Sequence, residues 1–101
     1  MRDKWIEALR SGKYKQGKSN LCSLRNEQPE FCCIGVLADL MDIPYHEKDN
    51  RRVYSHGMVA MLHEPELQLV GLGRDEAFRL ASLNDKGATF EEIAEVIENG
   101  V

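Results

Sequence analysis

The apolar positions of this chain come in short blocks, and their spacing sets the elements. Trp5, Ala8 and Leu9 stand at i, i+3 and i+4, which predicts a helix over residues 3–10 stopped by Ser11 and Gly12. Residues 13–20 are polar and glycine-punctuated and read as a loop. Residues 21–25 suit a short strand, and residues 26–29, ending in Pro29, suit a turn. Phe31, Cys32 and Cys33 either close a hairpin or open the next helix. Cys33, Val36, Leu37, Leu40 and Met41 then make a full helical stripe, with Ile34 and Ala38 apolar on other faces. This helix should be the most buried element, and Pro44 ends it.

The second half is less regular. Residues 45–55 are charged, with Arg52, Val53 and Tyr54 as an edge strand. Residues 58–62 are apolar but too short to separate strand from helix, and Pro65 should end that segment. Gly71 and Gly73 break the chain. Residues 75–84 then read as a helix with Phe78, Ala81 and Leu83 among its apolar positions, followed by a turn at residues 84–87. Thr89 and Glu92 form the ends of a capping box. The final helix puts Phe90, Ile93, Ala94 and Ile97 on one face and Glu91, Glu92, Glu95 and Glu98 on the other. The pattern is α+β: three to four short helices packed on a small antiparallel sheet, in one domain over residues 1–101.

Composition narrows the setting. No run of about 18 apolar residues exists to span a membrane, and the charged opening residues lack the apolar core of a leader. The three cysteines are an odd set with two adjacent, which points to reduced thiols and a cytoplasmic location. The net charge of −4 is unevenly spread. Residues 1–25 hold seven Lys/Arg against two Asp/Glu, a balance of +5, and the remainder holds six against fifteen, a balance of −9. Either the two parts neutralise each other in the fold, or they form separate basic and acidic patches facing different partners.

Three segments carry a resemblance: Trp5 to Gly17 (WIEALRSGKYKQG), Phe31 to Leu40 (FCCIGVLADL) and Leu83 to Ala94 (LNDKGATFEEIA). Together they resemble a family of small uncharacterised proteins encoded by tailed bacteriophages. The resemblance covers about a third of the chain, and residues 45–74 share nothing with it. It implies a setting, the cytoplasm of an infected bacterial host. It also implies the habit of such proteins, which is to bind and modulate a host macromolecule, including components of host defence.

Five constellations bear on chemistry. Cys32 or Cys33 at a helix start would have its thiol pKa lowered by helix amides, with His46, His56 or His63 as base, which is the outline of a cysteine-dependent enzyme; small core residues are the plain alternative. The cysteine and histidine spacings lack a metal knuckle, so neither metal nor cofactor is expected. The two C-terminal helices outline a helix-turn-helix, but four glutamates on the second would repel phosphate, so DNA is not expected there. The loop from Arg10 to Lys18 joins Lys13, Lys15 and Lys18 to glycine amides and to Tyr14, a candidate site for a nucleotide or other phosphate. It spells the order of a P-loop, yet follows a helix where a strand is required. Finally, Glu91, Glu92, Glu95 and Glu98 offer a docking face for a basic region of a host protein. The expectation is therefore a non-catalytic accessory protein, with phosphate binding and thiol chemistry as the alternatives.

Overall fold

In the computed structural model, which describes residues 1–100, the elements gather around the central apolar helix. Their order is α1 (Arg2–Arg10), β1 (Cys22–Arg25), β2 (Gln28–Phe31), α2 (Cys33–Leu40), β3 (Tyr45–Lys48), β4 (Arg51–Tyr54), α3 (Glu64–Gln68), α4 (Arg74–Asp85) and α5 (Phe90–Glu98). The fold is α+β, with five helices among the described residues where three or four were expected. The four strands form one antiparallel sheet in the order β2-β1-β4-β3.

Both hairpins turn in two residues. Asn26 and Glu27 join β1 to β2, and Asp49 and Asn50 join β3 to β4, all with φ between 53° and 64°. Positive φ at both central positions is the type I′ arrangement that matches the twist of the flanking strands. Residues 45–55 are thus a hairpin with its own strand β3. Arg52–Tyr54 belongs to an interior strand, and the edge is β3, whose residues are all exposed. Pro29 lies within β2 rather than in the turn, on an edge strand that tolerates a missing N–H.

Two helix expectations also need correction. Pro65 does not end a segment; it sits in the first turn of α3, where its fixed φ is favourable. Helix α4 runs through Asp85 and buries Ala77, Leu80 and Asn84, while Phe78 is 48 % exposed. The turn expected over residues 84–87 is narrowed to Lys86 and Gly87, and Phe78 falls outside the buried face of α4, which runs through Ala77, Leu80 and Asn84.

Helix α2 carries the core. Every residue from Cys33 to Ala38 is buried. Its first turn lies directly on the chain entering β1: a Cβ on Gly35 would stand 1.7 Å from the Leu21 carbonyl oxygen, so no larger residue fits. Trp5 of α1 is fully buried and its indole N–H donates to the Cys33 carbonyl at 2.9 Å. Helix α5 buries Phe90, Ile93, Ala94 and Ile97 as expected, and Thr89 and Glu92 close the capping box reciprocally. It packs chiefly along α1 rather than forming a simple hairpin with α4.

Asn84 joins these layers. It is fully buried, and its Oδ1 accepts from the Cys33 backbone N–H at 3.2 Å and from Gln16 Nε2 at 2.9 Å. Its Nδ2 donates to the Gly17 carbonyl at 2.8 Å. One side chain therefore ties α4, the first turn of α2 and the loop after α1.

The radius of gyration, 12.3 Å, is close to the about 13 Å expected of a folded chain this long. Among the described residues no helix is long and apolar enough to cross a membrane.

Replacing Asn84 by Ala leaves the buried Cys33 amide and Gly17 carbonyl without their partner, while Gln16 Nε2 keeps its bond to the Ala88 carbonyl. The Asn84→Ala variant should lose about 3 kcal/mol of stability in urea unfolding. A loss below about 1 kcal/mol would show that the loop and α2 are held by other contacts.

Candidate functional site

The residues singled out in the sequence fall on three separate parts of the molecule. Glu91, Glu95 and Glu98 stand at i, i+4 and i+7 on the outer side of α5, all exposed, with Glu92 beside them. Arg10, the last residue of α1, reaches across to two of them. Its Nε meets Glu91 Oε1 at 3.2 Å, and its Nη1 and Nη2 meet the two oxygens of Glu98 at 3.1 and 3.3 Å. The Glu98 bond raises the Arg10 pKa, and Arg10 in turn lowers that of Glu98. Glu92 is held low chiefly by the Thr89 N–H that it accepts. Asp3, Ile6, Glu7, Arg10, Ser11 and Glu98 line an open concavity of about 540 Å³ between α1 and α5. The acidic face is therefore a two-helix surface: Asp3 and Glu7 extend it, and Arg10 is set into it.

The lysine loop is divided. Gly17 N–H donates to Phe31 O and Phe31 N–H to Lys15 O, so residues 15–17 run along β2 like a partial fifth strand. Ser19 N–H donates to Asp85 Oδ1 at 2.9 Å, Lys13 N–H to Ser11 Oγ, and Asn20 N–H to the Lys18 carbonyl. The Lys13, Gly17, Ser19 and Asn20 amides of the loop are thus already bonded, and a carboxylate occupies the position at Ser19. The loop follows α1 and leads into β1, so the P-loop order lacks its strand–loop–helix setting. Lys13 and Tyr14 line a concavity of about 340 Å³ with Lys4, Glu7, Ala8, Ser11 and Leu40. Lys15 points elsewhere, pairing with Glu30 at 3.2 Å, and Lys18 is exposed.

Tyr14 has partners that the sequence did not suggest. Its hydroxyl donates to Asp39 Oδ2 at 2.6 Å, and Arg52 Nη1 donates to Asp39 Oδ1 at 3.3 Å. The Arg52 guanidinium lies 4.0 Å from the Tyr45 ring centre and 5.1 Å from that of Phe31. It also donates to the Tyr54 hydroxyl at 3.4 Å. Burial, followed by the Asp39 bond, pushes Tyr14 up to about 12; burial pushes Tyr54 up to about 12 as well. This is a half-buried clamp joining the loop, α2 and the sheet. It holds Tyr14 edge-on to Phe31, with ring centres 5.0 Å apart, while Tyr45 stays 46 % exposed.

The thiols are closed off. Cys32 caps α2, and its sulfur accepts the Gly35 N–H at 3.4 Å. Helix amides do lower its pKa, but desolvation is larger and pushes it up to about 11. Cys33 donates to the Leu80 carbonyl at 3.5 Å and is raised well above the ordinary thiol value by burial. Cys22 is pushed up to about 11 for the same reason. Burial therefore opposes the activation that the helix start would give Cys32 or Cys33 and favours the reading of both as small core residues. His56 and His63 stack on each other with ring centres 4.3 Å apart, and His46 lies exposed on β3. Among the described residues no group of three or more His, Cys, Asp or Glu is placed to hold a metal.

The chain belongs to the DUF8296 family, a domain of unknown function, whose match covers residues 1–62. That span runs from α1 through β4 and stops short of α3, so the acidic helix α5 lies outside it. No curated protein and no solved structure matches the chain.

A thiol that is neutral in the fold but ionises earlier when unfolded has a definite pH signature. Its contribution is whole below about pH 9 and is lost as pH rises through the folded value, here about 11 for Cys22 and Cys32. Urea unfolding should therefore show stability falling between about pH 9 and about pH 11. Iodoacetamide near neutral pH should leave all three thiols unmodified in the native protein and label them in urea. Fast native labelling at Cys32 would restore the nucleophile reading.

Proposed function

We propose that this is a non-catalytic accessory protein of phage type that binds and modulates a protein of the bacterial host, a defence component being one such target. The observation that carries this reading is the two-helix acidic surface. Glu91, Glu95 and Glu98 form a row on α5, Asp3 and Glu7 flank it on α1, and all five are exposed beside a concavity floored in part by Ile6. Such a face suits a basic region of a partner protein, with steering by charge and anchoring by the concavity. Arg10 fixes the glutamate side chains in place before a partner arrives, which limits the ordering cost of binding. The phage setting rests on the three segments quoted from the sequence, and the cytoplasm of the infected cell is the matching location. The closed thiols favour binding over cysteine chemistry. The Asp85 carboxylate on the Ser19 amide, and the turning of Lys15 toward Glu30 and away from Lys13, favour a protein partner over a small phosphate ligand at residues 10–18.

The test is affinity capture from host lysate, identification of the partner by mass spectrometry, and reconstitution of the pair from purified proteins. Replacing Glu91, Glu92, Glu95 and Glu98 by Gln keeps a side chain able to close the capping box at Thr89. That variant should stay folded by circular dichroism and lose at least about tenfold in affinity, with the loss concentrated in the association rate. Equal capture by the variant and the wild type would remove the acidic face from the function. A chain that turns over a substrate of the captured protein would remove the non-catalytic reading.

A further inference from the structure

We propose that the outer face of the β-sheet is a second interaction surface, one that takes the phosphate backbone of duplex nucleic acid. Strand pairing places Ser23, Glu30 and Arg51 side by side, with Arg25 next to Gln28 and Lys48 next to Arg51. Residues directly paired across antiparallel strands share a face. Phe31, Cys22 and Tyr54 occupy the opposite face and are buried toward α2. The outer face is thus the polar one. Lys15 joins it from the loop beside β2 through its contact with Glu30.

The charge on this face is one-sided. It holds Lys15, Arg25, Lys48 and Arg51 against the single carboxylate of Glu30, which is only 8 % exposed and lies beneath Lys15 at 3.2 Å and Arg25 at 3.9 Å. Lys48 and Arg51 have no carboxylate partner within ion-pair distance among the described residues. Glu27 and Asp49 stand in the two hairpin turns, at one end of the sheet. A net charge of −4 does not cancel this patch. The acidic surface is carried by α1 and α5, with α1 packed on α2 and α2 on β2, and the screening length in physiological salt is about 8 Å.

The chemistry of the face selects the ligand. A flat row of cations fits phosphates spaced along a backbone. Phe31, Tyr45 and Tyr54 sit on the face opposite the cations, with Arg52 lying over the Tyr45 ring, and the ring at an outward strand position is the single imidazole of His46, so the cationic face has no row of rings for stacking successive unpaired bases. The largest apolar side chain at an outward strand position is Val53, which is half-buried, so the face lacks the apolar groups that seat a protein in a lipid surface.

Fluorescence anisotropy of the full chain with a labelled duplex of roughly 20 base pairs at about 50 mM salt tests this. With three to four phosphates engaged, log K should fall with log salt at a slope between about −2.5 and −3.5. The exposed pair Arg25→Gln and Lys48→Gln should weaken binding at least fivefold and reduce the slope by about two. Glu30→Gln should tighten it, an effect that a fold defect would not produce. Absence of duplex binding, unchanged affinity in the double variant when circular dichroism shows it folded, tighter binding to single strands of equal length, or equal binding to phosphatidylserine vesicles would each overturn the proposal.

Discussion

The fold depends on how an almost wholly apolar helix is held in place. Helix α2 is buried from Cys33 to Ala38, and its one charged side chain, Asp39, lies in the last turn, where Tyr14 and Arg52 hold it. At the other end, packing alone would leave the first-turn amide of Cys33 without a partner and that turn without a polar tie to α4 or the loop. Asn84 removes both problems from outside: it takes that amide and, with the same carboxamide, grips the loop at Gln16 and Gly17. The contact of Gly35 with the Leu21 backbone then sets the depth of the helix over the sheet. A polar residue in the core thus does what apolar contacts cannot do, which is to choose one arrangement among several of similar burial.

The charge asymmetry of the chain resolves into both of its alternatives. Part of the N-terminal excess is neutralised internally, Arg10 by Glu91 and Glu98, Lys15 by Glu30, and Arg2 near Glu76. What is left over is sorted by layer, acidic along α1 and α5 and basic on the outer sheet. The same pairings therefore reduce the charge on each side and hold the remaining groups in fixed positions.

The sequence made some of this legible. Helical periodicity found α1, α2 and α5 because each has one clear apolar stripe, and the capping box at Thr89 fixed a boundary. The hairpin of β3 and β4 was hidden. Its exposed residues are charged, and its inward Arg52 is a cation stabilised by Tyr45, Phe31 and Asp39, contacts that exist only once the chain is folded. The two-residue turn at Asp49 and Asn50 was the signal available, since both residue types tolerate positive φ. Asn84 looked like a turn residue because asparagine usually is one; its burial follows from tertiary bonding. Among the candidate site residues, Glu91 and Glu98 stayed on the surface but gained Arg10, while Tyr14 became half-buried with its hydroxyl on Asp39.

The pairing of α1 with α5 has a kinetic meaning. Arg10 and Glu91 are 81 residues apart in sequence. Contacts of that separation close a long loop and are paid back only after the intervening strands and helices have condensed. The glutamate row belongs to α5 alone, but the Arg10 bonds that fix Glu91 and Glu98 exist only where the two ends of the chain are docked, so any fraying of α1 from α5 leaves those carboxylates unpinned.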